Sequence, residues 1–556
     1  MTFNMTTVAI AALFSGAVYA QVVLPPSADP GAIQQRRLDE EQRRLEQERL
    51  ERVPSDGQVR QVTPAPAPAA PEGGPKFMVR DISFSPASEV FSAEELGALV
   101  QNYKGKEATF GELQEMAERI NAAYRERGVV TARAIIPPQD ISSGTITLQL
   151  VEGKLGAINL KGNESTRDSY ILSRVQAENG TLVDLPSLQS SLLRFNRTNS
   201  AQLRAGLEPG QSFGTTDLVI DVQEPKQHAF RIGLDNLGSD VTGKTRLGLA
   251  YANQSLLGWR DTLNLAVMSA EGLKSYSLTY AVPVTTSGGR LSLAHSQDDT
   301  KLKNGPFASL DITGASSSTS LTMRQPVYFG ERSQFDVMGS VRRRSIENQI
   351  SGLFLSGTDV DDVQLGVEYQ SGDDAGYWLA NYMISSGRAT TAAVDSRFTV
   401  GRAALRRTHF LGTEGWALRG ALSLQHTSSE SLPASEQMFL GGEGSVRGYS
   451  VGAVSGDQGS TLSLELLHPI TGRGAGAGGS AFAADGFFFL DAGYVKITQP
   501  PESILPRSQT LTSVGWGVNM SLGKHVSANL TLGYALKELA EESQRYKVGL
   551  QLTTEF

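Results

Sequence analysis

Cysteine is absent from the 556-residue chain, which excludes a disulfide framework and any thiolate metal site. No apolar run reaches the roughly 18 residues that a membrane-spanning helix requires. The formal net charge is −8, which argues against a nucleic-acid partner. The sequence also lacks a Gly-x-Ser-x-Gly nucleophile elbow, histidines at metal-ligand spacing and a defensible acid–base pair of carboxylates. We therefore predict that the chain is not an enzyme, with no catalytic residue, no metal site and no cofactor.

Glycine, by contrast, is abundant, and its 58 residues crowd into the second half of the chain. Over residues 227–556, runs of roughly ten residues alternate between apolar and small or charged positions, as the strands of a transmembrane β-barrel do. A soluble β-sandwich shows the same period, but it needs neither an export signal nor so many strands. We predict a mainly β fold with a sixteen-stranded antiparallel transmembrane barrel over residues 227–556, with both of its chain ends in the periplasm.

The first segment, residues 1–20, fits a secretory signal peptide. Val8–Phe14 is its apolar centre, and Val18-Tyr19-Ala20 fits a small-residue cleavage site, although Met1–Thr7 contains no Lys or Arg. The alternative is a short buried N-terminal helix. Together with the barrel pattern, the segment predicts export to the cell envelope.

A highly charged helix is predicted within residues 21–52. Its acids and arginines alternate at three- and four-residue spacing, which supports an isolated helix. Leu38, Leu45 and Leu50 form only a thin apolar stripe, too thin for an ordinary core helix. From the residues alone this is a solvated helix or a weak coiled coil. Residues 53–75 follow as a proline-rich, extended linker.

Two successive segments, residues 76–153 and 154–226, repeat the order strand, helix, helix, strand, strand. In the first copy, Ser92–Glu95 forms a capping box before a helix, and Gly144–Val151 alternates strictly as a strand does. The pattern predicts two small α+β domains of about 75 residues each. Such domains expose a strand edge and a helix groove, both suited to an extended peptide.

The longest predicted loop of the barrel contains Leu440–Tyr449, a stretch with four glycines around one arginine. Long loops in compact domains are usually functional. Arg447 stands at the tip with no local acid except Glu443, so its planar guanidinium needs a carboxylate elsewhere. The best candidate is Asp491, the one charge in an apolar strand.

The alternation of that strand predicts which way Asp491 points. A carboxylate on the lipid face at mid-depth is costly, so Asp491 belongs to the lumen face. Gly493 beside it leaves room for a loop tip. The predicted lipid face is Phe488, Leu490, Ala492 and Tyr494, and the predicted lumen face is Phe489, Asp491, Gly493 and Val495.

These segments resemble two motifs of outer-membrane transporters that carry POTRA domains. Val446-Arg447-Gly448-Tyr449 matches the VRG(Y/F) tip of their infolded loop, and Phe489-Leu490-Asp491-Ala492-Gly493 matches the F-x-D-x-G barrel strand that receives the arginine. The layout of the whole chain, with two POTRA-like domains before a barrel, is similar to that of the two-partner secretion transporters of the TpsB type. The terminal Phe556 resembles the signal read by the outer-membrane assembly machinery.

The resemblance implies an outer-membrane location in a Gram-negative bacterium, with the POTRA-like domains in the periplasm. It implies export of one large, mostly unfolded exoprotein, such as a haemolysin or adhesin, which is recognised through its N-terminal secretion domain. It further implies that the N-terminal helix plugs the lumen at rest. The functional site would then comprise Val446, Arg447, Gly448 and Tyr449 on the loop, and Phe489, Asp491 and Gly493 on the barrel wall.

Two other functions stay open at the level of sequence. A factor that inserts other barrels into the outer membrane shares the arginine loop and the F-x-D-x-G strand. A passive porin or surface-binding barrel explains residues 227–556 but not the two preceding repeats. Neither the identity of the client nor the oligomeric state follows from the sequence.

Overall fold

The structure, a computed structural model, describes residues 28–51, 59–61, 74–305, 308–412, 414–471, 482–499, 506–539, 542 and 544–556. The predicted signal peptide and most of the proline-rich linker therefore lie outside the described residues. The N-terminal helix α1 spans Pro30–Glu51, and its first turn is capped by the Asp29 carboxylate, which accepts a hydrogen bond from Ala32 N at 2.8 Å. Of the helices described, none is both long and apolar enough to span a membrane.

The first α+β domain packs two helices on a small sheet. Capping boxes at Ser92 and Thr109 begin its two helices, because each hydroxyl and the glutamate three residues later satisfy free backbone amides. Tyr124 and Leu148 are fully buried in its core. A short strand, β1 (Val59–Gln61), precedes the first α+β domain. The elements of the domain are β2 (Phe77–Val79), β3 (Asp81–Ser85), α2 (Ala93–Val100), β4 (Lys106–Ala108), α3 (Phe110–Glu126), β5 (Ala132–Ile135) and β6 (Thr145–Glu152). Its main sheet has the order β3-β6-β5, so β5 is an edge strand.

The second α+β domain repeats the arrangement. Its elements are β7 (Lys154–Lys161), α4 (Asp168–Leu172), α5 (Leu185–Thr198), β8 (Gln202–Pro209) and β9 (Thr215–Gln223). Strand β1, which belongs to the segment predicted as a plain linker, adds to this sheet, whose order is β1-β8-β9-β7. Three residues of the segment predicted as an extended linker therefore pair as a strand, because the open edge of β8 satisfies the backbone groups of β1.

Sixteen antiparallel strands close into a barrel, as predicted. The barrel strands and the two short loop strands are β10 (His228–Asp235), β11 (Arg246–Asn253), β12 (Thr262–Ala270), β13 (Leu273–Pro283), β14 (Arg290–Lys301), β15 (Ile312–Phe329), β16 (Ser333–Ile350), β17 (Leu353–Asp373), β18 (Gly376–Thr391), β19 (Asp395–Leu411), β20 (Trp416–Thr427), β21 (Met438–Leu440), β22 (Val454–Gly456), β23 (Gln458–Pro469), β24 (Phe482–Lys496), β25 (Ser508–Leu522), β26 (Val526–Ala535) and β27 (Tyr546–Glu555). The first and last strands, β10 and β27, pair directly and close the cylinder.

The alternation in β24 separates lipid-facing from lumen-facing side chains as predicted. Phe488 is 66% exposed on the outer face, whereas Phe489 and Asp491 are buried on the inner face. The long loop, residues 428–457, follows the eleventh barrel strand β20 and contains the small hairpin β21–β22. Helix α1 lies inside the barrel, in contact with β14, β15 and β16 and with the same long loop.

Candidate functional site

The long loop folds into the lumen because its glycines permit a sharp double turn. Gly441 and Gly442 adopt φ of 106° and 91°, a region that other residues rarely populate. Val446 and Tyr449 are buried in a small apolar cluster with Leu440 at the base of the turn. This packing places Arg447, which directly follows Val446, against the barrel wall.

Arg447 and Asp491 form a bidentate ion pair inside the barrel. The guanidinium Nε donates to Asp491 Oδ2 at 2.8 Å, and Nη2 donates to Oδ1 at 2.8 Å. The main-chain amide of Arg447 also donates to Oδ2, at 3.1 Å. Asp491 is fully buried and Arg447 is 6% exposed. A charge pair removed from water in this geometry is strong and directional, so it can hold the loop tip in one position.

Two residues of the neighbouring strand β23 complete the pocket, and sequence reasoning missed both. Glu465 Oε1 accepts from Arg447 Nη1 at 2.6 Å, and Ser463 Oγ accepts from Arg447 Nη2 at 3.0 Å. Ser463 in turn donates to Asp491 at 2.7 Å. The signal was present in β23, where Ser463 and Glu465 are the polar residues between three leucines that face outward. The alternation of β23 predicts that both side chains point into the lumen, but it does not identify their hydrogen-bond partners.

An aromatic ring forms the remaining side of the arginine pocket. The Arg447 guanidinium carbon lies 3.6 Å from the ring centroid of Phe489, a close cation–π contact. The ring fits because its cross-strand neighbour on β25 is Gly515, where an added Cβ would lie 2.4 Å from the ring. The predicted role of Phe489 as part of the wall that receives the arginine is consistent with this placement.

Glycines on the wall admit the backbone of the loop tip. A Cβ at Gly493 would lie 2.8 Å from a Val446 methyl, and a Cβ at Gly533 would lie 2.5 Å from the amide nitrogen of Gly448. The hydroxyl of Tyr449 lies 2.9 Å from Thr512 O and accepts a hydrogen bond from Lys537 N at 3.2 Å. The structure thus brings all seven residues predicted from the motifs into one buried contact surface, which we call the arginine seat: Val446, Arg447, Gly448, Tyr449, Phe489, Asp491 and Gly493.

Helix α1 is held in the lumen by polar contacts along its length. Near its N-terminus, Arg37 makes a bidentate pair with the buried Asp298 of β14 at 2.9 and 3.0 Å. Near its C-terminus, Glu46 accepts from Arg406 of β19 at 3.0 Å. This position explains why α1 has only a thin apolar stripe. A helix in a polar lumen is stabilised by charged and hydrogen-bonding partners and does not need a wide apolar face.

Helix and loop meet at a buried charge cluster. Glu436 of the loop is fully buried and contacts Arg342 at 2.7 Å, Arg344 at 3.3 Å and Arg402 at 3.0 Å. Gln35 of α1 accepts a hydrogen bond from Arg342 at 3.2 Å and another from Arg344. The two arginines of β16 therefore contact both the helix and the long loop.

Comparison with known proteins places these features in a family. A family model described as haemolysin secretion/activation protein ShlB/FhaC/HecB matches residues 214–520, more than half of the chain. A second model, described as POTRA domain, ShlB-type, matches residues 77–153. The heme/hemopexin transporter protein HuxB of Haemophilus influenzae is 26% identical over 541 residues, which cover 92% of this chain and 94% of that protein.

A further relative and two solved structures are similar to a large part of the chain. The hemolysin transporter protein ShlB of Serratia marcescens is 24% identical over 377 residues, 64% of this chain and 66% of that protein. The solved structure of CdiB from Escherichia coli superposes with a TM-score of 0.67 at 20% identity, and the match covers 97% of this chain and 100% of that one. BamA from Haemophilus ducreyi lacking POTRA domains 1–3 superposes with a TM-score of 0.54 at 15% identity, over 86% and 99% of the two chains. At these identities the structural likeness concerns the fold.

Proposed function

The chain belongs to the ShlB/FhaC/HecB family of haemolysin secretion/activation proteins, and from this premise we propose how it recognises and moves its client. It is an outer-membrane transporter of two-partner secretion that exports a secreted exoprotein, and it is not an enzyme. Its barrel lies in the outer membrane, and its POTRA domains are in the periplasm. The observation that carries the proposal is a closed barrel whose lumen contains the N-terminal helix and an infolded loop.

The client is a large exoprotein that reaches the periplasm unfolded and is recognised through its N-terminal secretion domain. Relatives are named as transporters of heme/hemopexin and of hemolysin. Recognition by strand addition is supported by the open edge of β5, where Ile135 is 36% exposed. The corresponding edge of β8 in the second domain is occupied by β1, so a client that adds a strand there has to displace three residues of this chain.

Transport requires that α1 leave the lumen. Apart from the buried Ala32 and Ile33 in its first turn, its contacts with the wall are mainly hydrogen bonds and ion pairs, which water and a polar client can replace. The outer membrane has no ATP, and folding of the client outside the cell supplies the driving force in this proposal. The arginine seat keeps the loop in its working position while the helix moves.

The protein's own insertion depends on the outer-membrane assembly machinery and on contact with membrane lipid. The last barrel strand supports this step, because β27 alternates between outward apolar and inward polar or small residues. The outward residues of the barrel provide the apolar band that meets the lipid.

The experiment that tests the proposal compares secreted and surface proteins from cells with and without this chain. We expect one or two large exoproteins to disappear from the surroundings while other outer-membrane barrels keep their normal levels. Transport function would be contradicted if many outer-membrane proteins fell together, since that result identifies a barrel assembly factor. A steady conductance with no change in any secreted protein would instead indicate a passive porin.

A further inference from the structure

The second α+β domain is fixed to one side of the barrel mouth. Arg197 of α5 donates to the carbonyls of Gly330 and Ser333, both at 2.7 Å, in the turn between β15 and β16. Arg174 donates to Thr285 O at 3.2 Å in the turn between β13 and β14. These contacts place the domain beneath the strands from β13 to β16.

A third turn, residues 254–261, joins the domain to the barrel through a buried arginine. Arg260 is 1% exposed and has φ of 55°, a backbone conformation that costs energy for a residue other than glycine. Its guanidinium bonds to Ser200 and, at 3.3 Å, to Ser165, two residues of the second α+β domain. Ser165 also binds Glu224 in the connecting segment before β10, so the joint between domain and barrel is held on both sides.

The other side of the lumen contains a cavity of about 920 Å³, which we call the vestibule. It is lined by strands β18–β20 and β23–β27 and by Arg231 of β10, and near the periplasmic turns its lining includes Tyr377, Phe410, Asn519 and Ser527. Among the described residues that line it, none belongs to either α+β domain. Its walls mix charged side chains of both signs, such as Arg406 and Asp485, with aromatic rings, amides and hydroxyls. Such a polar surface suits many side chains of an extended polypeptide.

The vestibule extends to the two elements that occupy the lumen, helix α1 and the long loop. Its inner lining includes Arg44 of α1 and Glu443 and Arg447 of the long loop. A polypeptide segment that enters from the periplasmic turns therefore contacts the C-terminal half of the helix and the arginine seat before it meets any other part of the plug. On the side of β11–β16, by contrast, the second domain is fixed against the turns.

We propose that the exported polypeptide enters the barrel as an extended segment through the vestibule, beside β18–β27, and not beneath the second α+β domain. This inference rests on the proposed transport function and specifies its route. The fixed joint at Arg260 keeps the domain clear of the vestibule, so that a segment released from the domain passes sideways into the lumen. Contact with the helix then occurs at its C-terminal half, at Arg44.

The natural absence of cysteine allows a direct test with single substitutions. Ser527→Cys lies in the vestibule, and Thr286→Cys is the matched variant in a turn beneath the second domain; both positions are exposed. The full chain carrying either cysteine is reconstituted in lipid vesicles and modified with a polyethylene glycol maleimide. The urea-unfolded exoprotein, identified as the one lost when this chain is deleted, is then added, and its protection from external protease is measured.

We expect modification at residue 527 to abolish protection of the exoprotein and modification at residue 286 to leave it unchanged. Each modified sample is compared with the same variant before modification, which separates a blocked route from a folding defect. Full protection after modification at 527, or equal loss after modification at 286, would overturn the proposed route. Failure of the unmodified wild-type chain to protect the exoprotein would overturn the transport function itself, and the route with it.

Discussion

The main-chain amide and the side chain of Arg447 converge on one carboxylate, that of Asp491. The amide and Nε both donate to Oδ2, at 3.1 and 2.8 Å, and Nη2 donates to Oδ1 at 2.8 Å. Asp491 therefore fixes the backbone of the loop tip as well as its charge. An arginine held only by its side chain could pivot, but this one cannot move without breaking a backbone contact.

Removal of the carboxylate is expected to damage transport more than removal of the arginine. Arg447→Ala should cut secretion while the barrel still inserts, because the seat loses its ion pair. Asp491→Ala removes the acceptor of the Arg447 main-chain amide as well as the bidentate partner of its guanidinium, which keeps Glu465 and Ser463. Breaking a buried ion pair from one side costs on the order of 3 to 5 kcal/mol, and here the loop backbone loses its contact too. The exchange of the two residues, Arg447→Asp with Asp491→Arg, should not restore secretion, since the backbone amide at residue 447 would then face another donor.

Secretion of the exoprotein and the heat-dependent gel mobility of the barrel are the two measurements. Arg343→Ala with Asp361→Ala is the matched control, because this pair is separated by 3.8 Å on the outer surface and its side chains are 71% and 60% exposed. Exposed ion pairs contribute about 0 to 1 kcal/mol, so the control should secrete normally. Normal secretion by Asp491→Ala would refute a role for the seat in transport.

Glu465 is expected to make a smaller contribution to the same seat. Its carboxylate lies between Arg447 at 2.6 Å and Arg419 at 3.2 Å, but Arg447 keeps Asp491 when Glu465 is lost. Glu465→Leu should weaken loop seating by about 1.5 to 3 kcal/mol, the range for a hydrogen bond to a charged group. Glu465→Gln keeps an acceptor and should weaken it less.

Loop seating can be measured by the rate of trypsin cleavage after Arg447, which is only 6% exposed when seated. The double variant with Asp491→Ala should add little to the effect of Asp491→Ala alone, because both changes act on one guanidinium. Cleavage of Glu465→Leu at the wild-type rate would show that Glu465 does not support the seat.

The sequence predicted the barrel and the direction of Asp491 because both depend on a period of two residues. Phe488 and Leu490 are outside, and Phe489 and Asp491 are inside, for the same reason that any half-buried strand alternates. The motif resemblance then paired Arg447 with Asp491. Neither argument could identify the contact between Glu465 and Arg447. That contact depends on the position of the loop tip along the barrel wall, which neither strand periodicity nor the motifs determine.

Contacts between distant segments were also beyond sequence reasoning. Glu436 is one acid among 58 acidic residues, and only the folded lumen brings it to Arg342, Arg344 and Arg402. The strand β1 is three residues long and lies in a proline-rich segment, so its own pattern predicts no strand. Its pairing comes from the open edge of β8, a property of the partner rather than of the segment.

Close packing of the loop tip predicts that an added methyl group on the wall disrupts transport. In Gly533→Ala the new Cβ would lie 2.5 Å from the backbone nitrogen of Gly448, and a backbone clash cannot be relieved by rotating a side chain. In Gly493→Ala the nearest atoms are side-chain carbons of Val446 and Leu440 at 2.8 and 2.9 Å, which can shift. We expect Gly533→Ala to accelerate tryptic cleavage at Arg447 more than Gly493→Ala does.

Gly339→Ala is the control for a methyl group in the barrel. Its nearest neighbour is a methyl of Leu365 at 3.7 Å, an ordinary contact distance. The variant should insert, resist trypsin and secrete as the wild type does. If Gly339→Ala and Gly533→Ala behave alike, the effect belongs to the barrel and not to the loop tip.

Release of the N-terminal helix should depend on its buried ion pairs. Arg37→Ala leaves the fully buried Asp298 with Ser275 as its remaining hydrogen-bond donor, and Glu46→Ala leaves Arg406 without its contact on the helix. Both changes remove interactions that exist only while α1 is in the lumen, so they favour the open barrel. In planar bilayers we expect more frequent and longer conducting events for each single variant and a further increase for the double variant.

The control is Glu41→Ala, because the Glu41 side chain is 37% exposed and meets Arg37 at 3.9 Å on the same helix. That contact persists whether the helix is inside or outside the barrel, so its loss should not change the conductance. If apolar packing held the helix in the lumen instead, Arg37→Ala would leave the conductance unchanged. Since the described part of α1 makes its closest wall contacts through charge and amide groups, an unchanged conductance in the double variant would show that α1 is not the plug.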